Sequence, residues 1–365
     1  MLAGTSLFGA ASLLAGLAPS FTLLVLARLL QGAGEAIALP AAMATIVLMF
    51  PEGPRRSRAL SVWAAVAGCG LVLGFALSGV ITAHLGWRWI FLISVPFILA
   101  VFVAALLLIE ADRPVARGSA PLDLPGTLLL TACPLLFTYG VVKAGEPGTS
   151  HWVSLTALAG AVLAGAGFVR VEARSPHPLV PLGFFANRAR VAANVTTMLL
   201  SGALSTSFLL FTFYLQDALG IGPLGAGLTM LPLAVALVVA SVLVPQLLGR
   251  WGARVCVLAG LGFTTGAMAT IALVAALDAG APWLIPAMVL IAAGMGFGLV
   301  GLQYIAVSGA TDEDAGIASG VQRAADQFGG AGGVTVYVGI GFAPALHPAD
   351  PFLTATTLAA DGLII

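Results

Sequence analysis

The stretch "ARLLQGAGEAIALP", residues 27–40, places Arg28, Gln31 and Glu35 inside a run that is otherwise apolar from Phe21 to Phe50. At about 1.5 Å of rise per residue, a helix of that length spans a hydrocarbon layer about 30 Å thick. A charge near the centre of such a helix costs about 2.5–3.5 kcal/mol on insertion scales, and intramembrane ionisable groups usually face a cavity or a partner. Two charges on one apolar helix therefore need a physical reason.

Composition identifies the solvent. Hydrophobic residues make up 60% of the chain and charged residues only 8%, with a mean hydropathy of +1.07. Soluble domains carry roughly 25% charged residues, so this surface faces lipid. Fifteen acidic residues balance fifteen basic ones, which gives no reason to expect a nucleic-acid partner. Cys69, Cys133 and Cys256 lie far apart in apolar stretches, as small buried hydrophobes do, and suggest neither a disulfide framework nor a metal site. "MLAGTSLFGAASLLAGLAPS" lacks the basic start of a signal peptide and reads as a membrane span.

The chain divides into eleven apolar runs of spanning length: 2–18, 21–49, 59–82, 89–109, 125–143, 153–170, 191–216, 225–248, 255–277, 283–308 and 317–343. Breaks such as "PEGPRRSR", "ADRPVARGSAPLD", "KAGEPGTSHW" and "RVEARSPHPLVPLGFFANRAR" interrupt them with proline, glycine and charge. The segment 344–365 is too broken to form a further span. Alternate loops differ in basic residues. One set holds Arg55, Arg56, Arg58, Arg113, Arg117, Arg170, Arg174, Arg188, Arg190, Arg250 and Arg254, whereas the other holds only Arg88 and Lys143. The first set is expected to be cytoplasmic, with "ATDEDAG" at 310–316 as a basic-poor member, and Met1 starts at the cytoplasmic face.

Arg28, Gln31, Gly32 and Glu35 stand at i, i+3, i+4 and i+7, so they share one helical stripe. Seven residues, a rise of about 10 Å, separate Arg28 from Glu35, too far for a direct salt bridge. Each needs other partners. Two readings stay open: a proton-carrying carboxyl tuned by a cation, or permanent bridges that pack the bundle. The final run repeats the theme with Arg323 and Asp326 at i, i+3, followed by Gln327, where the pair can touch and serve packing or function alike. Gln31 and Gln327, with Tyr214 and Gln216 at the outer end of the seventh run, are candidates for a substrate cavity. Asp217 belongs with that weaker group, because polar and aromatic residues are ordinary at an interface.

Small residues form a second pattern. Gly70, Gly74 and Ser78 recur every four residues in "GCGLVLGFALSG", beside Gly79, and the run from Gly329 through Gly330 to Gly333 is similar. Such spacing lets transmembrane helices pack backbone to backbone. Gly68, Gly70 and Gly74 do not form a dinucleotide fingerprint, because no strand precedes them. His84, His151, His177 and His347 fall in loops or the tail, and HExxH, CxxC and GxSxG do not occur, so no enzyme activity or cofactor is expected.

On these residues the chain resembles a known family. "LARLLQGAGEAIALPAAMATI" resembles the fourth helix of major facilitator superfamily transporters. "GLVLGFALSGVITAHLGWRWIFLISVPF" is similar to the fifth and sixth helices of their fourteen-span drug:proton antiporter branch. "HPLVPLGFFANRAR", "FYLQDALGIGPLGAGLTMLP", "LLGRWGAR" and "GIASGVQRAADQFGGAGG" extend the likeness to about residue 340. The resemblance implies an all-α, polytopic membrane protein of about eleven helices corresponding to the third through thirteenth of that branch. An N-terminal bundle over 1–109, a linker region with two extra helices over 110–190, a C-terminal bundle over 191–343 and an irregular tail over 344–365 would follow.

It further implies alternating access at a cell membrane and proton-coupled export of small amphipathic or drug-like molecules by a monomer. Departures from the family pattern are specific. Arg28 matches its fourth-helix arginine, but Glu35 stands where a small residue is expected. Gly74–Phe75 replaces a glycine–proline pair, Ser78–Gly79 a later glycine pair, and Asp326–Gln327 an Arg-Gln pair. Without the family's first two helices and its last, the alternative expectation is a transport-inactive membrane protein with a binding or scaffold role.

Overall fold

A computed structural model describes residues 1–49, 77–108, 123–145, 150–176, 178–308 and 312–341, together with Val66, Gly70, Leu73 and Gly74. The described residues are helical with short connections and contain no strand. Among the described residues, eight helices are long and apolar enough to cross a membrane by length and composition. Large apolar side chains such as Leu107, Leu128, Val162 and Leu163 lie uncovered on their outer faces, an arrangement suited to lipid and costly in water. The fold is that of an all-α membrane protein, as the hydropathy pattern predicts.

The helices are α1 (Leu2–Gly16), α2 (Phe21–Met49), α3 (Arg88–Leu92), α4 (Ser94–Leu108), α5 (Leu124–Gly145), α6 (His151–Glu172) and α7 (Arg188–Phe213). Then come α8 (Pro223–Thr229), α9 (Leu231–Trp251), α10 (Ala253–Ala276), α11 (Ile285–Gly294), α12 (Val300–Val307) and α13 (Asp312–Gly341). Most of the third apolar run, 59–82, lies outside the described residues, as does the tail. The stretch around 310–316, expected to be a loop, is already helical from Asp312.

Contacts divide the chain into two compact units, Met1–Gly118 with Ile221–Leu231, and Ser119–Gly220 with Pro232–Ile365. In the first unit α1 and α2 meet at Gly4 and Gly34. A methyl group added at Gly4 would lie 2.6 Å from the Ala38 amide nitrogen, and one at Gly34 2.6 Å from that of Phe8. Gly79 approaches α8 in the same manner, since a methyl added there would lie 2.7 Å from the Pro223 carbonyl oxygen. Arg88 donates to the Ala18 carbonyl at 3.2 Å, tying α3 to the end of α1.

In the second unit α5 and α6 form a hairpin in which Ser154 Oγ donates to the Gly140 carbonyl at 2.6 Å. Asn187 caps α7, its side chain accepting from Ala189 and Arg190 amides. The closest seam joins α7 to α13: a methyl at Gly202 would press on Gly329 and Gly333, and methyls at Gly329 and Gly333 would overlap the backbones of Met198 and Gly202. Gly260 on α10 meets Gly298 similarly. Gly298 sits in a π-helical turn, Met295–Leu299, and a second such turn, Tyr214–Ala218, follows α7. Buried Tyr214 donates its hydroxyl proton to the Ala279 carbonyl at 2.7 Å, fastening the end of α7 to the loop after α10.

The seam predicts that Gly329→Leu will unfold or disperse the second unit, with overpacking costing at least about 1–3 kcal/mol. Gly262, whose added methyl would meet nothing within 4 Å, provides the control. Thermal unfolding read by fluorescence size exclusion should separate Gly329→Leu from an unaffected Gly262→Leu. In the same assay Tyr214→Phe should lower stability by about 0.5–1.5 kcal/mol through loss of one buried hydrogen bond.

Candidate functional site

In the first unit the stripe on α2 resolves into a relay and an isolated carboxyl. Arg28 Nη1 donates to Gln31 Oε1 at 3.0 Å, and Gln31 Nε2 donates to Ser12 Oγ on α1 at 2.7 Å. Ser12 Oγ in turn donates to the Phe8 carbonyl at 2.8 Å. Each donor polarises the next acceptor in such a chain. The Arg28 guanidinium also lies 5.7 Å from the centroid of the Phe91 ring on α3. Gln31 is buried in the α1–α2 contact, so it serves as a strut between helices. Arg28 itself is exposed on the outside of that strut.

Glu35 has a different environment. One turn beyond Gln31, it is exposed on α2 and has no hydrogen-bond or ion-pair partner among the described residues. The spacing correctly excludes a direct pair with Arg28, whose contacts lie on α2 itself and on α3.

In the second unit Arg323 and Asp326 do touch, at 3.0 Å. Arg323 is 58% exposed, so the ion pair by itself contributes no more than about 1 kcal/mol. Asp326 is held more firmly by Ser201 Oγ on α7, which donates to its other oxygen at 2.6 Å, a charge-assisted bond. One turn earlier Gln322 Nε2 donates to Thr197 Oγ1 at 2.7 Å, so two polar ties run along the α7–α13 seam.

The remaining candidates scatter. Gln327 and Gln216 are exposed, whereas Tyr214 is buried and engaged with α10's terminal loop. Among the described residues, an added methyl at Gly70 or Gly74 would meet no neighbour, while Gly79 is buried at a backbone contact. Ser78 is half-buried beside it. Gly330 faces Ser205 on α7, flanked by the Gly329 and Gly333 contacts. No group of three or more metal-ligating side chains occurs among the described residues.

Sequence reasoning missed Ser12, Ser201 and Thr197, which receive or supply the hydrogen bonds of Gln31, Asp326 and Gln322. Serine and threonine occur on many transmembrane helices, so their identity carried no signal. Asn194 was also missed: it lies one turn after Arg190, donates to that residue's carbonyl at 2.9 Å, and its amide oxygen is buried with no hydrogen-bond partner among the described residues.

Comparison with known proteins gives these helices a lineage. The sequence matches the Major Facilitator Superfamily over residues 1–334. It is 48% identical over 365 residues to the lincomycin resistance protein of Streptomyces lincolnensis, covering all of this chain and 75% of that one. It is 38% identical over 340 residues to the cephamycin export protein of Amycolatopsis lactamdurans, covering 92% and 69% of the two chains. Against the puromycin resistance protein of Streptomyces alboniger it is 35% identical over 335 residues, covering 90% and 65%. A crystal structure of a POT family transporter superposes with a TM-score of 0.67 at 16% identity, over all of this chain and 79% of that one, a likeness of fold alone. The helical architecture and these matches together place the chain in the Major Facilitator Superfamily of membrane transporters.

Proposed function

We propose that the chain functions in secondary active export, moving small amphipathic molecules out of the cell by alternating access with protons entering in exchange. The observation that carries the export reading is the similarity over the whole chain to a lincomycin resistance protein, supported by the cephamycin export and puromycin resistance relatives. The chain acts as a monomer in the cell membrane, with Met1 and the arginine-rich loops at the cytoplasmic face. Its organisation is an N-terminal bundle over 1–109, a two-helix linker region over 110–190 and a C-terminal bundle over 191–343.

Coupling is assigned to Glu35. A carboxyl group that alternates between charged and neutral forms must not be locked to a permanent cation, because each protonation would then break a buried pair. Glu35 has no such partner among the described residues. Asp326 is engaged on both oxygens, by Arg323 and Ser201, and is therefore a tie between α7 and α13 rather than a carrier. Arg28, anchored by Gln31, contributes a positive potential about two turns from Glu35 on the same helix face.

Reconstituted vesicles with an imposed proton gradient test this assignment using lincomycin as the transported probe. The wild-type chain should accumulate it in a gradient-dependent manner, whereas Glu35→Gln should lose that dependence while keeping its thermal stability within about 0.5 kcal/mol. A variant with unchanged gradient dependence removes Glu35 from the mechanism. Absence of flux in the wild type removes the export reading for this chain. Gln31→Leu should behave oppositely, lowering thermal stability by about 1 kcal/mol through loss of the α1–α2 hydrogen bond.

A further inference from the structure

At one end of the α5–α6 hairpin two carboxyl groups converge on a glycine. Asp123 stands immediately before α5 and caps it, Oδ1 accepting from the Gly126 amide at 2.9 Å. Glu172 is the last residue of α6 and only 3% exposed, and its Oε2 accepts from the Val180 amide, in the loop before α7, at 3.2 Å. Each group thus commits one oxygen to a backbone amide and turns the other toward Gly126. A methyl added to Gly126 would lie 2.8 Å from Asp123 Oδ2 and 2.9 Å from Glu172 Oε1. The two oxygens are therefore less than about 6 Å apart, within the range where like charges act strongly on each other. Both are buried and have no hydrogen-bond partner among the described residues.

The neighbouring cations are directed elsewhere. Arg170 on α6, Arg174 just after it and Arg188 at the start of α7 are exposed, and the Arg190 guanidinium lies 5.3 Å from the centroid of the Phe184 ring. On α13, which packs against α5, Arg323 is paired with Asp326. Two negative charges sealed from solvent are costly without a counter-charge. A metal ion does not fit, because Mg²⁺ and Ca²⁺ take about six to eight oxygen ligands and this pair offers two, neither open to water. A proton needs no such shell. Asp123 lies at the N-terminus of α5, where the dipole favours a carboxylate, whereas Glu172 lies at the C-terminus of α6, where it favours the neutral acid. One proton on Glu172 Oε1, facing Asp123 Oδ2, would give each oxygen the partner it lacks.

We propose that Asp123 and Glu172 form a proton-binding site that carries one shared proton at neutral pH, and that this proton locks the start of α5 to the end of α6 and the loop before α7. The site is separate from Glu35 and rests on no part of the export reading.

Infrared spectroscopy of the full chain in lipid nanodiscs reads this proton through the C=O stretch of a protonated carboxyl and its shift in deuterium oxide. Spectra are taken at about pH 7, where free Asp and Glu side chains are ionised. Subtracting the spectrum of Glu172→Gln, or of Asp123→Asn, from that of the wild type should leave one such band. Either amide can donate where the proton stood, and asparagine still caps a helix, so both variants should fold, which size exclusion checks. The folded pair binds a proton that the unfolded chain releases above the ordinary carboxylate range. Wild-type melting temperature should therefore fall as pH rises from about 6 to about 9, and Glu172→Gln should lessen that fall. Absence of the band from either difference spectrum would overturn the proposal. So would a melting temperature raised by Mg²⁺ or Ca²⁺ in the wild type but not in Glu172→Gln, the mark of a metal site. A band found in a chain that shows no flux supports the site while refuting export.

Discussion

Lipid gives transmembrane helices little reason to hide apolar surface from one another, so cohesion depends on how closely their backbones approach. Glycine sets that distance here. Gly4 with Gly34, Gly202 with Gly329 and Gly333, and Gly260 with Gly298 bring helices together where a single added methyl would collide with backbone atoms. The polar ties depend on the same approach. Thr197 and Ser201 have short side chains, yet they reach Gln322 and Asp326 because the seam beside them is lined by glycine.

This packing divides the intramembrane polar groups into two kinds. Gln31, Gln322 and Asp326 are ties: each bonds to a short hydroxyl side chain on a neighbouring helix, which offsets part of the desolvation cost that lipid would otherwise impose, although Gln322 Oε1 has no partner among the described residues. Glu35 is not tied among the described residues, although it shares a stripe with Gln31 and Arg28. A residue that must change charge during a cycle is better served by that condition than by a permanent pair. The same contrast separates Asn194, whose oxygen is left over, from Gln31, whose amide is engaged at both ends.

Several positions show where pattern and structure part. The repeat at Gly70, Gly74 and Ser78 has the spacing of a packing motif, but among the described residues it is Gly79 that meets another backbone. Tyr214 at a helix end suggested an interfacial or cavity-facing ring, whereas its hydroxyl clamps the loop after α10. Helical spacing identifies residues that share a face and leaves open what that face meets. Arg323 and Asp326 were legible as a pair because i, i+3 neighbours touch on any helix, while Ser201, 125 positions away, was not.

Hydropathy by itself determined that the surface faces lipid and, among the described residues, where most of the helices run, since the cost of placing each side chain in hydrocarbon is a local property and sums along the chain. It also isolated Arg28, Glu35, Arg323 and Asp326, because a charge in an apolar run stands out without knowledge of its neighbours. Only the tertiary structure decided which of these are ties. Asp326 with Ser201 and Gln322 with Thr197 join helices that are distant in sequence, and Gln31 with Ser12 joins consecutive ones. Whether a polar group is satisfied depends on atoms within about 3 Å, and those atoms are brought there by packing between helices.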